Sequence, residues 1–209
     1  MTGRHPRLTF YLMNRKGGIK TMSQRLILPI NRCRVTASYK HPNYTREMGY
    51  RHYGCDFTDL NKSDKTIWAS GNGTVVETGW SNACGNVVIV VYPACELANG
   101  KVMDLTVRYY HLEKILAKKG QKVTKDTRLG YYGTTGASTG DHLHFEVDTD
   151  CKYYAYTPQI GKNSGVLKRG IDSTLNPVDC LWIKPTAPDH QSFHFSGYDT
   201  VENRKPKSL

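Results

Sequence analysis

No stretch of this 209-residue chain approaches the roughly 20 consecutive apolar residues that a bilayer-crossing helix needs, so no membrane span is expected. Residues 1–20 are basic but lack the uninterrupted apolar centre of a secretory leader, because Phe10-Tyr-Leu-Met13 is too short. Acid is scarce: 18 Asp and Glu stand against 29 Lys and Arg, for a net charge of +11. That balance favours polyanionic surroundings such as nucleic acid, an anionic membrane surface or an anionic cell wall, against the plainer reading of a solvated surface. No recognised nucleic-acid motif is present and the basic residues are scattered, so a nucleic-acid partner is not expected. The six cysteines (Cys33, Cys55, Cys84, Cys95, Cys151, Cys180) include no C-x-x-C pair. Their even number allows disulfides, with Cys84 and Cys95 as a candidate bridge around one strand, but a chain of this size does not need them and buried free thiols are the default. There is no long repeat, no low-complexity linker in the middle, and no H-E-x-x-H helix.

What the chain does have is a supply of core residues, 38% hydrophobic with 14 Tyr, arranged in short β-rich runs punctuated by Gly. Thr74-Val-Val-Glu-Thr78 follows the turn signal Gly71-Asn-Gly73. Asn86-Val-Val-Ile-Val-Val-Tyr92 is a continuous β-branched run, the pattern of a central strand buried on both faces. Leu105-Thr-Val-Arg-Tyr-Tyr110 alternates and leads into His111. Residues 112–119 read as a helical turn or short helix before Gly120. Residues 127–132 and 142–147 read as two further strands. The expected fold class is therefore mainly β, largely antiparallel, with few short helices. Residues 1–27 read as an N-terminal extension, of which 1–21 are either disordered or an artefact of the gene start, with Met22 as an alternative beginning. Residues 148–175 read as a long Tyr-containing loop, and residues 184–209 as a polar, poorly ordered C-terminal tail.

Chemistry concentrates at Gly136-Ala-Ser-Thr-Gly-Asp-His-Leu-His-Phe-Glu-Val147. Side chains two apart on a strand share a face, so His142 and His144 project into one small space. Imidazole is the commonest metal ligand and titrates near neutrality, so the pair suits a metal site, a proton-transfer site, or both. Upstream, Arg51-His-Tyr-Gly-Cys-Asp56 sets a histidine and a carboxylate four apart across a glycine that permits a tight bend. Catalytic zinc takes three protein ligands and keeps one position open, and His52, Asp56 and one of His142/His144 would supply three. With no H-E-x-x-H glutamate to act as base, a non-ligand histidine must handle protons. His111 and the spare member of the His142/His144 pair are available. The spacing alone does not decide which member binds metal.

In their order and flanks these motifs resemble the lysostaphin/LytM-type zinc endopeptidases. His52-Tyr-Gly-Cys-Asp56, Tyr110-His-Leu112 and His142-Leu-His-Phe-Glu146 carry the resemblance. Gly73-Thr-Val-Val76, Gly85-Asn-Val-Val-Ile89, Lys119-Gly-Gln-Lys-Val123, Gly133-Thr-Thr-Gly136, Ser138-Thr-Gly140 and Asn176-Pro177 support it. It covers roughly residues 28–182, which places a peptidase domain at 28–183 with a loop insertion at about 148–175. The resemblance implies that His52, Asp56 and His144 hold one zinc, that His111 and His142 are the non-ligand catalytic histidines, and that the fold is an antiparallel β-sheet platform whose narrow groove is walled by loops. It implies hydrolysis of peptide bonds in bacterial peptidoglycan, in stem peptides or cross-bridges. Together with the missing leader, it suggests a phage lysin or virion-associated wall hydrolase that is secreted or phage-borne, with peptidoglycan and anionic wall polymers as partners. The rival is a non-enzymatic wall-binding module or structural phage tail component of the same fold.

Three departures from the family pattern stand out. Asp141 precedes His142 where the family often has an uncharged residue; it either tunes a ring or is a solvated loop residue. The 148–175 stretch, with Tyr153, Tyr154, Tyr156, Lys162, Lys168 and Arg169, is longer than the family's turn, and is either a groove wall or a decoration. Cys55, beside Asp56, reads as packing.

Overall fold

The computed structural model describes residues 11–13, 19–49, 51–151, 172–185, 191–195 and 204–209. Strands β1 (Tyr11–Met13) and β2 (Ile19–Thr21) pair antiparallel in a sheet of their own. Then follow β3 (Leu26–Ile27), β4 (Arg32–Ala37), helix α1 (Pro42–Met48), β5 (Cys55–Asp59), β6 (Thr66–Trp68), β7 (Gly73–Ser81), β8 (Gly85–Glu96) and β9 (Val102–Ile115). The remainder are β10 (Lys122–Val123), β11 (Arg128–Tyr132), β12 (Leu143–Asp148), β13 (Thr174–Leu175), β14 (Leu181–Ile183), β15 (Ser192–Phe195) and β16 (Lys207–Ser208). The main sheet runs β10-β7-β8-β9-β12-β5-β4-β15, with β11 on β9 and β6, and β13 on β12. It is antiparallel except for β15 on β4, while β14 joins β3 and β16 in a small parallel sheet. The expected class, mainly β and mostly antiparallel, is the one observed.

Among the described residues α1 is the single α-helix, and its ends explain its length. His41 caps the start, its Nδ1 accepting from the Asn43 N–H. Pro42 opens the first turn, where a missing N–H costs nothing. Gly49, at φ 77°, ends it in the left-handed conformation, donating to the Thr45 carbonyl.

Directly opposed residues on antiparallel strands share a face, so the register sorts the sheet into two sides. Cys55, Phe145, Tyr109 and Val88 are aligned across four strands, as are Val147, Val107, Val90 and Val75. All are buried and form the core, with Phe145 edge-on to Tyr109 at 5.3 Å and tilted against Phe57 at 5.6 Å. The opposite face carries a different set: Asp56, His144 and Tyr110 in one row, and Glu146, Arg108 and Ile89 in the next. A single alternation of pleat thus separates an apolar core from a polar working face.

Several expectations are corrected. Residues 112–119 form no helix; β9 continues through Ile115 because Leu112 pairs with both Asn86 and Tyr132, and Ile115 with Gly130. Two flanking strands satisfy the backbone there, which outweighs local helix propensity. No two of the six cysteines are bridged. Cys84 immediately precedes β8 and Cys95 lies near its far end, so the length of the strand holds the two thiols apart. Within the stretch expected to be a poorly ordered tail, Ser192–Phe195 pairs with β4, and Phe193 packs edge-on against Phe57 at 6.2 Å. The alternation in Ser192-Phe-His-Phe195 is a strand signature set in polar surroundings. Within the expected N-terminal extension, Leu26 and Ile27 are buried and pair with β14. Tyr153, Tyr154, Tyr156, Lys162, Lys168 and Arg169 lie outside the described residues.

Candidate metal centre

His52 sits in the loop leading into β5, fully buried. Its Nδ1 lies 2.9 Å from the Ser38 carbonyl oxygen, and its ring stacks on Tyr44 at 4.3 Å. A carbonyl only accepts, so Nδ1 carries the proton and Nε2 presents a bare lone pair. That Nε2 lies 3.0 Å from Asp56 Oδ1 and 3.0 Å from His144 Nδ1. Asp56 on β5 and His144 on β12 are register partners, and their facing atoms, Oδ1 and Nδ1, are also 3.0 Å apart. His144 stacks flat on its other neighbour, Tyr110, at 5.5 Å and 7°. Gly54 makes the approach possible: a Cβ there would stand 2.5 Å from the Phe145 carbonyl oxygen and 2.8 Å from His144 Nε2. The small residue expected to permit a bend serves to leave room for the ring.

Three acceptor atoms therefore surround one point from three different segments, and they can do so only with a proton or a cation between them. A zinc ion with bonds of about 2.0–2.2 Å sets its tetrahedral ligands about 3.3–3.6 Å apart, so the spacing fits with a small outward movement and leaves a fourth position open. In the absence of metal the charges are strongly coupled. Burial pushes the Asp56 carboxyl up, but the His52, His142 and His144 imidazoles outweigh it and hold it well below the usual carboxylate range. Burial pushes His144 down, and the Asp56 and Glu146 carboxylates reverse this, raising it to about 9.

His111 and His142 flank this point without joining it. Their rings are 4.8 Å apart, and the His111 ring is 6.1 Å from that of His144. His111 Nδ1 is 2.8 Å from the Thr135 carbonyl oxygen, and His142 Nδ1 is 2.7 Å from that of Gly140. Both rings thus keep a bare Nε2 when neutral; that of His142 is 3.6 Å from Asp56 Oδ1. His111 occupies φ 64°, a left-handed conformation that costs a non-glycine residue about 1–2 kcal/mol. Its N–H donates to the Cys84 carbonyl and its own carbonyl accepts from Gly133, so both neighbouring loops hold the strain in place. Those loops meet tightly: a Cβ on Gly136, at φ 76°, would stand 2.2 Å from the Gly85 nitrogen. Burial pushes His111 down, and the neighbouring His144 and His142 add to this, lowering it to about 4.

All five residues singled out in the sequence come together in one place. Asp141 turns away from the rings: its Oδ2 pairs with Lys65 Nζ at 2.7 Å, and Lys65 also holds Glu113 at 2.9 Å. Cys55 points into the core, as expected. The sequence reading missed Arg108, Glu146 and Asp148, fully buried side chains behind His144 in which Arg108 Nη1 donates to Glu146 Oε1 at 2.7 Å and to Asp148 Oδ2 at 2.9 Å. The alternation His144, Glu146, Asp148 was visible in the sequence; Arg108 becomes their partner only through the strand register.

Residues 50–156, about half of the chain, match the model described as Peptidase family M23, and all five residues fall inside that match. The peptidoglycan DD-endopeptidase ShyA of Vibrio cholerae is 38% identical over 96 residues, covering 46% of this chain and 20% of its own length. Lysostaphin of Staphylococcus simulans is 33% identical over 114 residues, covering 50% of this chain and 21% of its own length. The chain spans about a fifth of the length of these curated relatives. A solved structure of the SpoIIQ–SpoIIIAH pore-forming complex superposes with a TM-score of 0.54 at 19% identity, over 77% of this chain and 92% of that one, which is a likeness of fold alone.

Proposed function

The chain belongs to peptidase family M23, and from that membership we propose that it is a zinc-dependent endopeptidase hydrolysing peptide bonds of bacterial peptidoglycan, in the stem peptide or the cross-bridge. The observation that carries this reading is the convergence of His52 Nε2, Asp56 Oδ1 and His144 Nδ1 beside two further histidines whose Nδ1 atoms are committed to carbonyls. Zinc held there supplies a Lewis acid and brings a water's pKa toward neutrality. The remaining work belongs to His111 and His142. A neutral Nε2 takes a proton from the attacking water as the water oxygen bonds to the scissile carbonyl carbon. The same or the neighbouring ring returns a proton to the leaving amine as the C–N bond breaks. A protonated ring also donates to the developing oxyanion. Either ring can take either part, since each keeps a bare Nε2 when neutral.

Fold alone does not separate this enzyme from a wall-binding or structural module; an occupied site and a cleaved bond do. The site of action in this reading is the cell wall, outside the cytoplasm. The bacterial relatives named above lend no support to a phage or prophage origin, so the release route expected from the sequence does not enter the proposal. The test is solubilisation of purified peptidoglycan by the zinc-loaded protein, with mass spectrometry of the muropeptides to name the bond. New amine and carboxyl ends that disappear on chelation are expected. Intact muropeptides from walls of several chemotypes, with zinc bound, would favour the non-enzymatic reading.

A further inference from the structure

We propose that Glu146, clamped by Arg108, is a positioning residue that sets the tautomer of His144 and so aims its Nδ1 lone pair at the metal. The inference rests on His144 being a metal ligand, not on which substrate is cut. Glu146 Oε1 is taken by Arg108, and Asp148 holds the same guanidinium from the next position on that face. Glu146 Oε2 remains, buried and without a hydrogen-bond partner among the described residues. His144 Nε2 is likewise buried and unpartnered, and the two atoms face each other at 3.5 Å.

A carboxylate oxygen only accepts, so the arrangement is favourable only when Nε2 carries the proton. A neutral ring protonated at Nε2 has a bare Nδ1, and Nδ1 is the atom that faces His52 and Asp56. Without Glu146 the other carboxylate wins the contest: Asp56 Oδ1, 3.0 Å from Nδ1, draws the ring proton to that side and occupies the ligand's lone pair. Arg108 makes Glu146 effective, because a buried carboxylate with one oxygen fixed cannot rotate its second oxygen away. A partner on the non-ligating nitrogen is the general means by which proteins orient metal-binding histidines.

Glu146→Gln inverts the contact. Arg108 still requires an oxygen, so the amide NH₂ turns toward His144 Nε2 and asks it for a lone pair, which drives the proton to Nδ1. Zinc affinity, measured by competition with a chromophoric chelator, is expected to fall about 10–100-fold. Ring ¹⁵N shifts of the metal-free protein at about pH 10, where an imidazole is neutral, are expected to place the proton on Nε2 in the wild type and on Nδ1 in the variant. Asp148→Asn removes a charge from the same cluster without touching His144 and keeps an oxygen that accepts from Arg108, so the clamp on Glu146 persists and zinc affinity should stay within a few-fold of wild type. A wild-type ring protonated on Nδ1, a Glu146→Gln protein that binds zinc as tightly as wild type, or an equal loss in Asp148→Asn would each overturn the assignment. Should Glu146→Gln fail to fold, the wild-type shifts decide alone. A wild-type protein that takes up no zinc would instead sink the proposed function and leave the tautomer result standing.

Discussion

The rings of His111 and His142 lie 4.8 Å apart, and each is tied at Nδ1 to a different main-chain carbonyl, Thr135 for one and Gly140 for the other. Neither ring can turn its Nε2 away from the shared space without breaking that tie. His111→Asn is the informative substitution, because asparagine tolerates the left-handed backbone at φ 64° and cannot move a proton. It is expected to keep zinc and lower kcat by about 10²–10⁴-fold, the usual contribution of a general acid–base group. His144→Ala is expected to lose zinc and activity together. Metal analysis beside a turnover assay separates the two, and a fully active His111→Asn protein would remove His111 from the chemistry.

Zinc uptake should be coupled to proton release. In the metal-free protein His144 is raised to about 9, so at pH 7 it carries a proton that the metal must displace. About one proton per zinc is expected, measurable by calorimetry in buffers of different ionisation heat. The sign for folding follows from the same shift. A histidine raised above its unfolded value of about 6.5 contributes stability that is fully present below that pH and is lost as pH rises through 9. His111, lowered to about 4, acts oppositely: the unfolded chain binds more protons between 4 and 6.5, so its term is lost as pH falls through that window. Chelated protein should therefore lose stability on both sides, and His144→Ala should flatten the alkaline limb while also weakening the acid limb, because His144 helps to lower His111 and Asp56.

How much of this was legible in the sequence depends on whether the signal was local. The H-x-H alternation and the β-branched run at residues 86–92 are local patterns, and the mainly antiparallel sheet followed from them; the five candidate site residues came from the resemblance of three ordered motifs, and the fold brings them together. The strand at residues 112–115 was not legible, since Leu112 and Ile115 suit either period and only the pairing with Asn86 and Gly130 decides. The same holds for Arg108. A lone arginine in an alternating strand reads as solvent-facing, and its burial needs two carboxylates brought from β12 by register. Phe193 was overlooked because its neighbours are polar.

Lys65 holds Glu113, two residues beyond His111, and Asp141, one before His142. The three side chains are about a third to a half exposed, so water and salt screen them and the net effect on folding is below about 1 kcal/mol. Lys65→Ala is expected to leave zinc content unchanged and to shift the unfolding midpoint only slightly. A large stability loss in denaturant titrations would mean that the cluster does more than tether the His142 loop.

Attraction to the wall should be separable from cleavage. With a net charge of +11, binding to anionic wall polymers is expected to weaken steeply between low and physiological salt, as exposed charges are screened over about 8–10 Å. Pelleting assays on whole walls, made with chelated protein so that nothing is cut, measure this directly. Binding that ignores salt would place recognition in a specific groove and make the basicity incidental.

Gly54→Ala tests whether the metal site depends on close packing of backbone and ring. The added methyl would meet the Phe145 carbonyl oxygen at 2.5 Å, and that oxygen belongs to a strand paired on both edges, so it cannot retreat. The other contact, 2.8 Å from His144 Nε2, is a ring wedged between Tyr110 and the other two ligands. The strain has two outlets: β5 separates from β12, or His144 swings off its aim. Overpacking of this kind costs about 1–3 kcal/mol, and either outlet pulls Nδ1 away from Asp56. The expected result is a modest loss of stability with a disproportionate loss of zinc affinity, read from denaturant unfolding and metal competition on the same preparation. Wild-type zinc affinity in a destabilised Gly54→Ala protein would show that the ring has more freedom than its neighbours allow.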